Sequence, residues 1–196
     1  MEDTWWDPTG GATHYTLSAE RTHWTRSLAR TVVIGDTPRE SRAAVEWANG
    51  DDEVHVIVVE GAGKGFCGGY DLTMFGEGRI DHPCQQERHP WDPMDDYAYM
   101  KRNTDDFMSL WKSPKPTIAK VHGFAAAGGS DIALCCDLIV LADDARIGYP
   151  PARVWGCPTT AMWAYRLGPM RAKQLMFTGD TLDGGAGDDQ LELRGL

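Results

Sequence analysis

A short, almost continuously apolar segment constrains the fold of this chain more than any other feature. It covers residues 54–59, Val-His-Val-Ile-Val-Val, and a glycine-rich turn at residues 61–65 ends it. A β-branched run of this length is typical of a strand that is covered on both faces, as in the sheet of an α/β protein. We therefore predict a buried central strand here.

The same order of elements recurs further along the chain. Residues 117–121, Thr-Ile-Ala-Lys-Val, form a second strand candidate, and a run of small residues from Ala125 to Gly129 then opens a helix that continues to Cys135. A third apolar segment, residues 138–142, follows directly. Strand, glycine-rich turn, helix and strand in succession predict α/β packing with short connections.

Other segments have helical signals. Thr37, Pro38 and Glu40 form a capping-box pattern, which predicts a helix from Thr37 to about Gly50. Further helices are predicted over residues 94–111, 159–167 and 170–177, the last two separated by Gly168 and Pro169, whereas residues 74–93 read as a loop. No secondary structure is predicted before Arg30 or from Gly179 onward.

Charge and composition exclude several function classes. The net charge is -10 and no basic cluster offsets it, so nucleic-acid binding is not expected. No apolar run reaches the roughly 20 residues of a membrane span, and the N-terminus lacks the order of a signal peptide, so a soluble cytoplasmic protein is expected. Five cysteines without Cys-x-x-Cys spacing indicate reduced thiols and no metal site.

Two glycine motifs have alternative interpretations. Gly61-x-Gly63 resembles a nucleotide loop, but Lys64 is followed by Gly65 rather than Ser or Thr, so a plain turn competes with it. Gly128-Gly129 at a helix start could hold an oxyanion on unpaired N–H groups, or could simply permit tight packing of a helix on a strand. The local sequence leaves both alternatives open.

Longer motifs carry a family resemblance. Residues 61–72, Gly-Ala-Gly-Lys-Gly-Phe-Cys-Gly-Gly-Tyr-Asp-Leu, resemble the first signature of the crotonase superfamily, the enoyl-CoA hydratase/isomerase family. Residues 115–137 resemble the second, and residues 145–150, Pro158 and residues 175–180 continue the match in order. The similarity runs from about Thr37 to about Gly184 without a break in register.

The resemblance implies a fold and a site. The fold would be α/β, built of repeated ββα units, and the ligand would be an acyl-CoA thioester, with coenzyme A entering as part of the substrate and no separate cofactor. The backbone N–H groups of Tyr70 and Gly128 would form an oxyanion hole, with Asp131 as the acid/base. The implied substrate-binding residues are Ala62, Lys64, Phe66, Gly68, Asp71, Leu72, Tyr149 and Pro151.

The catalytic pattern departs from that of the family's hydratases. They hold water between two glutamates, whereas here the first position is Asp131 and the second is Pro151, which cannot exchange a proton. Asp71, Tyr149 and Arg153 are nearby substitutes for the second group. A single carboxylate resembles the arrangement for double-bond shifts, so the resemblance leaves hydratase and isomerase open.

The ends of the chain also depart from the family. Residues 1–36 are predicted to be a divergent segment, residues 37–184 the crotonase-like core, and residues 185–196 a divergent tail in place of the family's C-terminal helices. The family forms trimers or hexamers, and without those helices such assembly is not expected. Three functions remain: an enoyl-CoA hydratase/isomerase, another crotonase-type reaction such as thioester hydrolysis or dehalogenation, or a truncated, catalytically silent CoA-binding protein.

Overall fold

The computed structural model describes residues 13–17, 24–28, 33, 36–72, 92–154 and 156–185. Within them, strands and helices alternate as the sequence predicts for an α/β chain. The strands are β1 (Thr13–Leu17), β2 (Trp24–Leu28), β3 (Ile57–Gly61), β4 (Thr117–Val121), β5 (Phe124–Ala126), β6 (Leu138–Leu141), β7 (Arg146–Gly148) and β8 (Thr181–Asp183). The helices are α1 (Thr37–Gly50), α2 (Pro93–Trp111), α3 (Gly128–Cys135) and α4 (Met162–Thr178), with a 3-10 turn at Pro150–Arg153.

The larger sheet has five strands in the order β1-β2-β3-β4-β6. Only β1 and β2 pair antiparallel; the pairs β2-β3, β3-β4 and β4-β6 are parallel. The two predicted strands around residues 54–59 and 117–121 are therefore neighbours. On one face, Ile57, Val59, Ala119 and Val121 are buried. On the other face, Val58 and Ile118 are only half-buried and Lys120 is exposed. The predicted central strands are confirmed, but the prediction that they are covered on both faces is wrong.

Several element boundaries differ from the sequence prediction. β3 starts at Ile57, although Val54 is also buried. Ala125 and Ala126 belong to a short strand, because their backbone pairs with β7, and the helix begins only at Gly128. The strands β1 and β2 lie before Arg30, and β8 lies after Gly179, in segments for which none was predicted.

One helix cap and one helix start also differ. α1 begins at Thr37 as predicted, but Asp36 is its N-cap residue and its side chain makes no cap hydrogen bond. α4 begins at Met162 rather than at Thr159, and it is kinked at Gly168, where the break between two helices was predicted. The predicted loop over residues 74–93 lies almost wholly outside the described residues, as does the tail from residue 186.

The short helix α3 is the centre of the packing. Every one of its eight residues is buried, and it contacts α2, α4, β4 and β5. β5 belongs to a second sheet in the order β5-β7-β8, so α3 emerges from the junction of the two sheets. The packing of these two helices and two strands against α3 thus fixes its position.

Polar contacts also anchor the C-terminal end of α3. Asp137 accepts hydrogen bonds from the Thr117 N–H at 2.8 Å and the Thr117 hydroxyl at 3.0 Å, which joins the helix end to β4. Arg166 of α4 donates to the carbonyl oxygens of Leu134, at 3.2 Å, and Cys136. The last carbonyls of a helix need such partners, and here they bind α4 to α3.

None of the helices in the described residues is long and apolar enough to span a bilayer. Four of the five cysteines lie in the described ranges, and all four are free: Cys67, Cys135, Cys136 and Cys157.

Candidate active site

Two segments that are far apart in sequence run side by side at the N-terminus of α3. The backbone N–H of Cys67 donates to the Phe124 oxygen at 3.1 Å, and the N–H of Ala126 donates to the Cys67 oxygen at 2.8 Å. The first glycine-rich motif, after β3, is thereby paired with the strand that leads into the second. Tyr70 and Gly128, the two predicted oxyanion donors, lie at the end of this contact.

Glycines make this close approach possible. A Cβ atom on Gly129 would lie 2.2 Å from the Cys67 carbonyl oxygen, a separation that real Cβ atoms do not show. Gly69 has a φ of +91°, and a Cβ there would lie 2.7 Å from the Cβ of Ala127. Gly129 thus permits tight packing of the helix on the strand, whereas a Cβ atom on Gly128 would make only ordinary contacts, so this packing does not require Gly128.

Tyr70 is fixed by backbone pairing and by its side chain. Val33 donates to the Gly69 oxygen at 2.6 Å and accepts from the Asp71 N–H at 2.9 Å. Because successive N–H groups in an extended chain point to opposite sides, the Tyr70 N–H is directed away from Val33. The Tyr70 ring lies against Gly128, and its hydroxyl accepts a hydrogen bond of 3.0 Å from Asn103 of α2.

Gly128 occupies the first position of α3. An N–H at this position has no partner within its own helix, and no backbone acceptor pairs with it in the described part of the chain. The helix dipole adds partial positive charge at the same point. The arrangement is suited to an anionic or strongly polarised oxygen.

Ala127, directly before Gly128, has an unusual backbone conformation. Its φ of 52° and ψ of -126° belong to a region that favours glycine, and it is the one non-glycine residue with positive φ among those described. Its N–H donates to the Gly148 oxygen at 3.2 Å, and its oxygen accepts from the Ser130 and Asp131 N–H groups. The backbone strain therefore lies at the residue directly before the Gly128 N–H.

We expect Ala127→Gly to raise the free energy of unfolding by about 1 kcal/mol. The substitution removes steric strain of about 1–3 kcal/mol, partly offset by the greater entropy of glycine in the unfolded chain. Urea denaturation measures the change. Ala126→Gly is the matched control because its φ is negative, and it should destabilise the protein. Equal destabilisation by both variants would contradict a strained Ala127.

Asp131 lies one helical turn after Gly128. Residues three apart share a helix face, and a helical side chain leans toward the N-terminus, so the carboxyl group is on the Gly128 side of α3. It is only 1% exposed. Burial raises its pKa to about 7, although hydrogen bonds from Thr159 and Thr160 oppose the increase.

The raised pKa of Asp131 predicts a pH-dependent stability difference. The folded state holds this proton more tightly than the unfolded state, so its stabilising contribution is complete below about pH 4 and is lost as pH rises through about 7. Asp131→Asn does not titrate. Its free energy of unfolding, relative to the unmodified protein, should therefore rise between about pH 4 and about pH 8, by on the order of a few kcal/mol.

Urea denaturation at several pH values in that range would measure this difference. Asp105→Asn is the control, because its exposed carboxylate pairs with Lys101 at the surface and should change little. A difference that does not vary with pH would show that the Asp131 carboxyl group titrates normally.

The predicted substitutes for a second acid/base group have other contacts. The Tyr149 hydroxyl donates to the Cys157 oxygen at 2.8 Å, and burial raises the pKa of Tyr149. Arg153 donates to the Thr178 oxygen at 3.0 Å and pairs with Asp180 at 2.9 Å. Pro151 is half-buried in the 3-10 turn, and its oxygen accepts from the Gly156 N–H.

The remaining predicted substrate-binding residues lie on or just after the loop that follows β3. Ala62, Gly68 and Asp71 are half-buried, and Lys64 and Leu72 are exposed. Phe66 differs from them: its side chain is completely buried in the core and offers no surface to a ligand. Its backbone instead anchors the loop, because the Phe66 N–H donates to the His122 and Phe124 oxygens.

Three residues near the site were not found from the sequence. Asn103 contacts Tyr70, the Thr160 hydroxyl lies 3.4 Å from a carboxyl oxygen of Asp131, and the buried Trp163 lowers the pKa of that group. Nothing in the local sequence indicates these contacts, because Asn103 belongs to α2 and the other two residues follow Asp131 only after β6, β7 and the 3-10 turn.

The similarity to known proteins agrees with this geometry. Residues 36–186 match the family model described as enoyl-CoA hydratase/isomerase. The chain belongs to the enoyl-CoA hydratase/isomerase family. The match covers the whole candidate site and confirms the crotonase resemblance.

Individual relatives carry the same description. A probable enoyl-CoA hydratase of Mycobacterium tuberculosis is 34% identical over 161 residues, which is 79% of this chain and 56% of that protein. A crotonyl-CoA hydratase of Syntrophomonas wolfei is 28% identical over 162 residues, 81% of this chain and 57% of that protein.

A solved structure supports the fold. The crystal structure of an enoyl-CoA hydratase from Mycobacterium smegmatis superposes with a TM-score of 0.77 and is 43% identical, covering 89% of this chain and 61% of that chain. The chain thus spans less than two thirds of the length of these relatives.

Proposed function

We propose that this chain binds an acyl-CoA thioester and moves a proton on its acyl group, as an enoyl-CoA hydratase/isomerase. One observation carries the proposal. A buried carboxyl group with a pKa near 7, that of Asp131, lies one turn after an N–H group at the start of a helix, beside the Tyr70 loop. Family membership and the names of the relatives support the same substrate class.

The two N–H groups of Tyr70 and Gly128 would bind the thioester carbonyl oxygen. Proton removal beside a thioester, or addition to its conjugated alkene, places negative charge on that oxygen. Fixed backbone donors and the α3 dipole favour this charge, and loss of one such donor typically costs about 10²–10³-fold in rate. Gly129 and Gly69 support the arrangement because they let the two segments meet.

Asp131 would transfer the proton. A group with a pKa of about 7 is present in both protonation states near neutral pH, which is the best condition for general acid–base catalysis. In a double-bond shift, the carboxylate removes a proton from the carbon beside the thioester carbonyl and returns it two carbons further along. The electron pair passes through the enolate, and no other reactant is needed.

Two observations favour different reactions at this site. The relatives are named hydratases, which supports addition of water to a 2-enoyl-CoA. Pro151, in contrast, provides no second carboxylate to hold that water, which supports the double-bond shift. Both reactions use the same oxyanion donors and the same carboxyl group.

The loop after β3 would bind the coenzyme A part of the substrate. Lys64 is exposed on it and can meet a phosphate, which matters in a chain with a net charge of -10. His122 reinforces the loop, since its ring Nε2 lies 2.9 Å from the Gly63 oxygen. Ala62 and Gly68 present small side chains or none at the same edge.

A panel of short 2-enoyl- and 3-enoyl-CoA substrates tests the proposal. Hydration adds one water to the product mass, and isomerisation leaves the mass unchanged but moves the double bond. Release of free CoA or of halide from suitable substrates would indicate another crotonase-type reaction. Thermal stabilisation by acyl-CoA without turnover would indicate a silent binding protein. The absence of both turnover and thermal stabilisation would refute the proposal.

A further inference from the structure

Asp131 lies against hydrogen-bond donors that come from a different part of the chain. The Thr160 hydroxyl, just before α4, is buried and lies 3.4 Å from Asp131 Oδ1. Trp163, in the first turn of α4, is 3% exposed. Since α4 packs directly on α3, these donors reach Asp131 from across the helix interface.

The Trp163 indole is a buried donor that needs an acceptor. Its Nε1 is fully enclosed and has no hydrogen-bond partner within the described residues. An unsatisfied buried N–H costs about 1–3 kcal/mol, so small movements that satisfy it are favoured. Trp163 also opposes the effect of burial on the pKa of Asp131, so the Asp131 carboxylate is the acceptor that such a movement would give to the indole N–H.

We propose that Thr160 and Trp163 are positioning residues, which hold the Asp131 carboxyl group toward Gly128 by hydrogen bonds that form or strengthen when it loses its proton. The expected effect on turnover rests on the proposed function, whereas the expected effect on the titration of Asp131 does not. The inference goes beyond that function by naming which side chains, outside both signature motifs, adjust the acid/base group.

Asp131 is surrounded by uncharged groups, so its hydrogen-bond donors, Thr160 and Trp163 together with Thr159, oppose the effect of burial on its pKa. The titratable groups facing it are Tyr70, Tyr149 and Cys135, and burial raises the pKa of each, so all three are uncharged near neutral pH. The charged Arg166 of α4 is bound to the carbonyls at the opposite end of α3. Hydrogen bonds, rather than a neighbouring ion among the described residues, therefore oppose the effect of burial on the pKa of Asp131.

A carbon-13 NMR titration of the Asp131 carboxyl group provides the test, with the signal assigned by its loss in Asp131→Asn. In Thr160→Val and in Trp163→Phe, the titration midpoint should move to higher pH by about one pH unit, because each variant removes a donor to the ionised form. The acidic limb of kcat/KM should move in the same direction. Thr160→Ser should restore the original midpoint.

Thr104→Val is the control, since that hydroxyl donates to the Met100 oxygen of its own helix. Unchanged midpoints in folded Thr160→Val and Trp163→Phe would overturn the inference. A raised KM in Trp163→Phe with an unchanged midpoint would overturn it for Trp163, showing that the indole serves the substrate. Moved midpoints in a protein without acyl-CoA turnover would support the inference while refuting the proposed function.

Discussion

Asp131→Asn should lower kcat/KM on short enoyl-CoA substrates by about 10²–10⁴-fold. Asparagine has nearly the same shape and still accepts a hydrogen bond from Thr160, but it cannot exchange a proton. The loss should appear at every pH, because no other group takes over the transfer. It should also appear in both hydration and isomerisation, since both depend on the same carboxyl group.

A second charge-removing substitution serves as the control for Asp131→Asn. Asp144→Asn removes an equal charge from an exposed turn after β6 and should leave turnover unchanged. Circular dichroism and the melting temperature verify folding, and at neutral pH the Asp131→Asn protein should be at least as stable as the unmodified one. Undiminished turnover in a folded Asp131→Asn protein would remove Asp131 from the mechanism and leave only the oxyanion donors.

Gly128→Pro should reduce kcat/KM by about 10²–10³-fold, the cost of one oxyanion donor. Proline at the first position of a helix is compatible with the helix, because the N–H that it removes has no helical partner. The substitution thus deletes the proposed donor from α3 and leaves Asp131 in place. The effect should be mainly on kcat, because the negative charge on the thioester oxygen develops in the transition state.

Gly128→Ala is the matched control for Gly128→Pro. It keeps the N–H, and its Cβ atom would lie 3.4 Å from Cε2 of Tyr70, an ordinary contact. It should retain most of the activity. If both variants lose the same amount, the space at Gly128 is what matters rather than the N–H, and the oxyanion interpretation of this position fails.

Much of the fold could be predicted because it depends on local patterns. The apolar run at residues 54–59 and its counterpart at residues 117–121 became neighbouring parallel strands, and Gly168 with Pro169 marked the kink in α4. Boundaries were wrong where pairing overrode local preference. Ala125 and Ala126 look helical by composition, but hydrogen bonding to Cys67 and to β7 makes them a strand.

Strands with little apolar periodicity escaped prediction altogether. β1 and β2 occupy a segment rich in Thr, Ser and His, and they exist as strands because β2 pairs with β3 and β1 pairs with β2. β7 and β8 have three residues each and are defined only by each other and by β5. So short a segment has no statistical signal of its own.

The sequence by itself determined the family and the identity of the proposed catalytic groups, because glycine at Gly128 and Gly129, a carboxylate at Asp131 and proline at Pro151 are chemical facts of the chain. Only the tertiary structure decided how these groups behave. Burial gives Asp131 its pKa near 7, and packing of α4 on α3 brings Thr160 and Trp163 to it. Desolvation and contacts across elements depend on where distant segments meet, which no local pattern encodes.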